Sequence, residues 1–181
     1  MVAQLYITPT SCGAASYIAA AKAGILGDKV EANLANIYTK TIASGPLKGE
    51  DFKTVNPKGN VPALVLEDGT ILNEGASVLF WIGDQSPDSG ILPAQGTSER
   101  YLVQNVLSYI GTELHASCGP LFNPALEDSM RPALIDKLKT KLAHVNDDKL
   151  AGGKTFLVGD AFTVADSCAH PLYVTAFNVW L

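Results

Sequence analysis

The chain has 181 residues, 47% of them hydrophobic and 17% charged, which allows a sizeable core and excludes a disordered chain. Thirteen basic against eighteen acidic residues give a net charge of −5, which argues against nucleic acid or an anionic membrane as a main partner. No apolar run is long enough to span a bilayer, the first residues carry no signal core, and the three cysteines, Cys12, Cys118 and Cys168, form no C-x-x-C pair, so a reducing, cytoplasmic setting without disulfides is expected.

Residues 2–7 read as a strand, with Leu5 and Ile7 on one face. The stretch Thr8-Pro9-Thr10-Ser11 breaks it. An alanine-rich helix is predicted over 12–23, with Ala15, Ile18, Ala19 and Ala23 on one face. Lys22 suits its negative end, and Gly24 suits its C-terminal cap. A second strand over 30–37 completes a strand-helix-strand unit, which favours parallel pairing through a right-handed crossover. Residues 61–66 and 71–72 form a hairpin around Asp68-Gly69. Asn73-Glu74-Gly75-Ala76-Ser77 then opens a helix through Ile82. Residues 1–84 are expected to form a compact α/β domain.

Residues 85–97 hold Pro87, Gly90, Pro93 and Gly96 and read as a linker. Only helical periodicity follows, over 98–181. Ser98 is expected to cap a helix to about Ser117, with Leu102, Val106, Ile110 and Leu114 as its apolar face. A second helix is predicted over 129–147, with Pro132 in the first turn and Leu134, Leu138, Leu142 and Val145 as its stripe. A third starts at Thr163, with Asp166 as reciprocal capping partner.

Four features carry chemistry. Cys12 falls in the first turn of a helix, where unpaired N–H groups and the dipole should lower its thiol pKa. It reads equally as a small packed residue. Ser11 is placed to cap that helix or to donate to a thiolate. Val61-Pro62 opens a strand, where a cis bond would free the Val61 backbone to pair with an extended peptide; an ordinary trans proline is the plain alternative. Glu74-Gly75-Ala76 forms a helix N-terminus suited to a carboxylate, with Glu74 open to an ammonium group; capping by Asn73 or Glu74 is the simpler role. Finally, Asn105, Ser108, Thr112 and His115 form an uncharged polar stripe at helical spacing, which reads as a cleft wall or as a solvated face. His115 and Cys118 are too few ligands for zinc, so no metal is expected. His144 and His170 carry no signal.

Together these residues resemble the glutathione transferase superfamily, most closely the bacterial beta class. The matching stretches are Leu5-Tyr6 through Cys12-Gly13-Ala14, the block from Phe52 through Asn56-Pro57-Lys58-Gly59-Asn60-Val61-Pro62-Ala63-Leu64, and Asp68 through Gly75. In the second half they are Thr112-Glu113-Leu114-His115, Pro120-Leu121-Phe122 and Phe162-Thr163-Val164-Ala165-Asp166. The resemblance implies an α+β fold, a thioredoxin-like domain (βαβ-ββα) followed by an all-helical domain. It implies an enzyme that conjugates reduced glutathione to a small hydrophobic electrophile, working in detoxification as a cytoplasmic homodimer.

By the same resemblance Cys12 lies beside the glutathione sulfur. Val61 pairs with the cysteinyl backbone next to a cis Pro62, with Asn60 in the same block. Glu74 and Gly75 hold the γ-glutamyl end, and His115 stands on the interdomain wall with Ser108. Cys12, Ser11 and His115 are the expected catalytic residues. Two other readings stay open: a glutathione-dependent thiol transferase or reductase using Cys12, and a non-catalytic glutathione-binding regulator.

The chain also departs from the family pattern. Ile7 stands where a tyrosine is common, Ser108 replaces an asparagine, Ala116 stands where a lysine is common, and Pro171 is expected to interrupt a helix. The sequence stops at Val179-Trp180-Leu181, where the family continues through further helices, so the helical domain reads as truncated. Val164, Cys168, Leu172 and Val179 must then pack on other helices or on a partner subunit.

Overall fold

A computed structural model describes residues 2–176. Strands β1 (Ala3–Ile7), β2 (Val30–Asn36), β3 (Thr41–Ile42), β4 (Ala63–Val65) and β5 (Ile71–Leu72) form one sheet in the order β3-β2-β1-β4-β5. β1 pairs with β2 in parallel, Leu5 opposite Ala32, and with β4 antiparallel, Leu5 opposite Leu64. The predicted parallel pairing is therefore present. β3 escapes the sequence reading because it is two residues long, too short to show alternation. β1 is buried on both faces, as a central strand must be. Ala3, Leu5 and Ile7 join the helical core, while Tyr6 packs on the other side with Ile42, Phe52, Val61 and Ala63. The Tyr6 and Phe52 rings lie 5.9 Å apart.

Helix α1 (Ala14–Lys22) is shorter than its alanine run suggests, because the chain is still turning at Cys12 and Gly13. Gly24 follows its end with a φ of 71°, the left-handed conformation that glycine adopts without steric cost. Helix α2 (Gly75–Asp84) buries Val78, Leu79 and Ile82.

The predicted linker is docked rather than loose. Ile91 and Leu92 are buried, and the Ile91 carbonyl accepts from Val164 N at 2.9 Å. A Cβ on Gly83 would overlap the Leu92 side chain, so glycine lets the connection lie flat against α2. Arg100 adds a two-pronged contact to Asp84, at 2.9 and 3.0 Å, and sits over the Phe80 ring.

Helix α3 (Ser98–Tyr109) is capped by Thr97, whose hydroxyl accepts from Arg100 N, rather than by Ser98. It runs into a π-helical segment, Ile110–His115, and then α4 (Ala116–Cys118). Val106, Ile110 and Leu114 are buried as expected, but Leu102 is 54% exposed and Val103 and Leu107 face the core instead. Helix α5 (Arg131–His144) buries Leu138 and Leu142, with Val145 just beyond it. Helix α6 (Val164–Thr175) starts at the predicted capping box: the Thr163 hydroxyl accepts from Ala165 N, and Asp166 accepts from Thr163 N at 2.7 Å. Asp166 also accepts from Leu157 N, tying in the preceding loop.

α6 runs through Pro171 rather than stopping there, although proline supplies no N–H to the turn before it. It packs on α1, α2 and α3, so Val164 and Leu172 are buried inside the chain and Cys168 is half-buried. Val179 lies outside the described residues. One apolar cluster extends from Ala3 through α1 and α2 to Ala176, so both halves share a core. Among the described residues no helix is long and apolar enough to cross a membrane.

Candidate functional site

Two cavities adjoin at Cys12, His115 and Leu172, which line both. The first, of about 350 Å³, lies between the two halves of the chain. The loop before β4 contributes Asn60, Val61 and Pro62, and the start of α2 contributes Asn73, Glu74, Gly75 and Ala76. The start of α1 adds Cys12 and Ser16, the π segment adds Thr112 and His115, and α6 adds Cys168. The second, of about 310 Å³, is walled by Ile37, Tyr38, Cys118, Phe122 and Pro171, with Thr10 and Ser11 at its edge.

The Val61-Pro62 bond is cis. The Val61 carbonyl accepts from the Cys12 thiol at 3.6 Å, and a Cβ on Gly13 would press on the Val61 side chain. Burial pushes the Cys12 thiol up, against a smaller downward pull from its own and the Gly13 backbone N–H groups. The expected fall in pKa is therefore overturned. Residues Cys12 and Gly13 precede the helix and the thiol is largely buried, so desolvation outweighs the helix terminus.

Ser11 is engaged within the turn. Its hydroxyl donates to the Thr8 carbonyl at 2.8 Å and accepts from Gly13 N at 3.1 Å, bracing the turn into α1. It lines the second cavity.

At the start of α2 neither Asn73 nor Glu74 caps the helix. The first turn of α2 therefore keeps its unpaired N–H groups for a ligand. Glu74 instead forms an ion pair with Lys58 at 2.5 Å through Oε1. A carboxylate has a second oxygen, so this pairing does not exhaust Glu74. Lys58 also donates to Asn73 at 3.1 Å.

The sequence reading misses the residue that holds this corner together. Asn56 is fully buried; its Nδ2 donates to the carbonyl and to Oδ1 of Asn60, at 2.7 and 2.8 Å. Its Oδ1 accepts from Lys58 N and from Asn73 Nδ2. One side chain thus fixes the loop carrying Asn60 and Val61 against the entrance to α2. Its position at the head of the Asn-Pro-Lys-Gly-Asn run was the available signal.

The polar stripe on the long helix splits. Thr112 and His115 line the first cavity, whereas Ser108 borders a separate hollow beside Ser77, Phe80 and Gln104. The cause is the π segment, whose wider turn rotates later residues away from the face an α-helix would give them. Protein atoms around the His115 ring lower its pKa, so the imidazole is neutral at physiological pH. Ser16, Cys168 and Leu172 were not foreseen as lining residues, because they meet only through the packing of α1 on α6. Among the described residues no three His, Cys, Asp or Glu side chains gather as a metal site would require.

Residues 30–85 match the family model described as the N-terminal domain of glutathione S-transferase. The chain is 33% identical over 178 residues to glutathione S-transferase GstA of Escherichia coli O157:H7, covering 98% of this chain and 84% of that one. The chain belongs to the glutathione S-transferase family. Among solved structures, a sphingomonad glutathione S-transferase complexed with glutathione aligns at a TM-score of 0.85 and 37% identity, covering 94% of this chain and 81% of that one. The beta class glutathione S-transferase of Sphingomonas chungbukensis aligns at 0.83 and 33%, covering 95% and 81%. The two-part glutathione S-transferase fold expected from the sequence is thus the one observed.

Proposed function

We propose that this protein transfers glutathione to small hydrophobic electrophiles. The observation that carries the proposal is the convergence of separate chain segments on one cavity: Cys12, Val61-Pro62, Glu74-Gly75 and His115 all line it. In this reading the tripeptide runs along Val61, with its γ-glutamyl end at the open N–H groups and second carboxylate oxygen of the α2 terminus. Asn60 borders the path. The electrophile enters the adjoining cavity, whose walls are largely aromatic and aliphatic. Because Cys12 and His115 line both spaces, the glutathione sulfur can meet the electrophile there, form the new carbon–sulfur bond and release the leaving group.

Burial keeps Cys12 protonated near neutral pH, which argues against Cys12 as the attacking atom. The neutral His115 on the opposite wall can donate or accept one hydrogen bond without adding charge. A homodimer acting in the cytoplasm is the setting that the family resemblance implies.

The test compares conjugation of an aryl halide with reduction of a glutathione mixed disulfide in one preparation. Conjugation well above exchange is the expected result. Exchange exceeding conjugation would reassign the protein as a thiol transferase. Glutathione binding with neither activity would make it a binding protein.

A further inference from the structure

We infer that the Ser16 hydroxyl is the hydrogen-bond donor to the sulfur of bound glutathione. This rests on the glutathione reading above and adds a catalytic residue to it.

Ser16 is 1% exposed, lines the first cavity, and its Oγ has no hydrogen-bond partner among the described residues. Buried hydroxyls are nearly always paired, so an unpaired one facing a cavity marks a position that a ligand completes. Three neighbouring donors are engaged within the chain. The Ser11 proton goes to the Thr8 carbonyl, and the Cys12 proton to the Val61 carbonyl. The Thr112 hydroxyl donates to the Ser108 carbonyl. Ser16 carries no such commitment.

Its position suits the sulfur. Ser16 follows Cys12 by four residues, a rise of about 6 Å along a helix. A sulfur lodged between the two side chains is within reach of both. Desolvation of this floor by Ala15, Leu79 and Leu172, all lining residues, strengthens one well-aimed donor relative to water. The titratable groups that face the same space are Cys12 from the α1 entrance, Cys168 from α6, Glu74 from the α2 entrance and His115 from the π segment. None of them carries a positive charge at neutral pH, so hydrogen bonds must supply the stabilisation of a thiolate here.

The proposal separates the free protein from the complex. Without ligand, the unpaired hydroxyl is a cost; with ligand, it is a contact. Ser16→Ala should therefore fold at least as stably as the parent and show a smaller rise in Tm on adding glutathione. The thiolate of bound glutathione, followed by ultraviolet difference absorbance against pH, should titrate about one pKa unit higher in Ser16→Ala, with kcat near neutral pH about tenfold lower. The kcat gap should close at alkaline pH, while KM for glutathione moves by less than about threefold. Ser16→Thr, which keeps a hydroxyl, should restore the parent's titration. Superimposable thiolate titrations for parent and Ser16→Ala would overturn the assignment, as would a drop in Tm without ligand. Absence of glutathione binding by the parent itself would instead overturn the glutathione reading, and the Ser16 assignment with it.

Discussion

The Cys12 thiol and the Val61 carbonyl are hydrogen-bonded across 3.6 Å, joining the turn before α1 to the loop before β4. Burial of Cys12 raises the pH at which this thiol loses its proton. Alkylation of Cys12 by iodoacetamide should therefore become fast only above the ordinary thiol value of 9.0. A half-maximal rate near pH 7, measured with Cys118→Ala and Cys168→Ala combined, would mean that the thiolate is stabilised after all.

The same contact predicts how Cys12→Ser behaves. A hydroxyl can still donate, so conjugation should survive within about tenfold, whereas any disulfide exchange should vanish because oxygen forms no mixed disulfide. Loss of conjugation with glutathione binding intact would identify the sulfur itself as the reacting atom.

Asn56 is the strongest single prediction about structure. Asn56→Ala leaves the Asn73 amide and the Asn60 carbonyl without their partners and should cost about 1–3 kcal/mol in stability. Asn56→Asp should not rescue it, because the acid lacks the Nδ2 donor that both Asn60 atoms accept from. Urea unfolding of the three proteins checks this. An Asn56→Asp midpoint equal to the parent's would remove the donor from the account.

Buried cysteines set an alkaline limit on stability. Burial pushes the Cys118 thiol up to about 11 and the Cys168 thiol up to about 12, with the charge of Cys12 adding to the latter. An unfolded chain releases these protons near 9.0, so between that pH and the folded values the native state holds more protons than the unfolded one. The stabilisation is complete below this window and is lost as pH rises through it. Tm should fall from pH 9 to 11, and Cys118→Ala should fall less steeply than the parent. Identical slopes would contradict the assignment.

Much of this architecture is legible in the sequence because it is local. The Asp68-Gly69 hairpin, the Thr163–Asp166 capping box and the alternation of β1 each depend on residues a few positions apart. The cis proline and the run from Asn56 to Leu64 were legible through family likeness. What stayed hidden depends on packing between distant segments. Cys12 looked activated because a helix terminus is visible in sequence, while its burial is not. Ser11 looked free because nothing in the sequence shows that the Thr8 carbonyl takes its proton. Ser108 looked like part of the wall because a polar stripe assumes a constant helical period, and the π segment breaks that period two residues later. Ser16 is one small residue in an alanine-rich helix, and nothing local in the sequence marks it.

Calorimetric titration of reduced glutathione into the parent and into Glu74→Ala tests the central claim most directly, that the tripeptide lies between Val61 and the start of α2. Glu74 is largely exposed and pairs with Lys58 at the surface, so its removal should leave the fold intact. The parent should bind one glutathione per chain, and Glu74→Ala should bind at least about tenfold more weakly, a loss of about 1.4 kcal/mol. Equal affinities in the two proteins would remove Glu74 from the site, and no heat of binding in the parent would contradict the account as a whole.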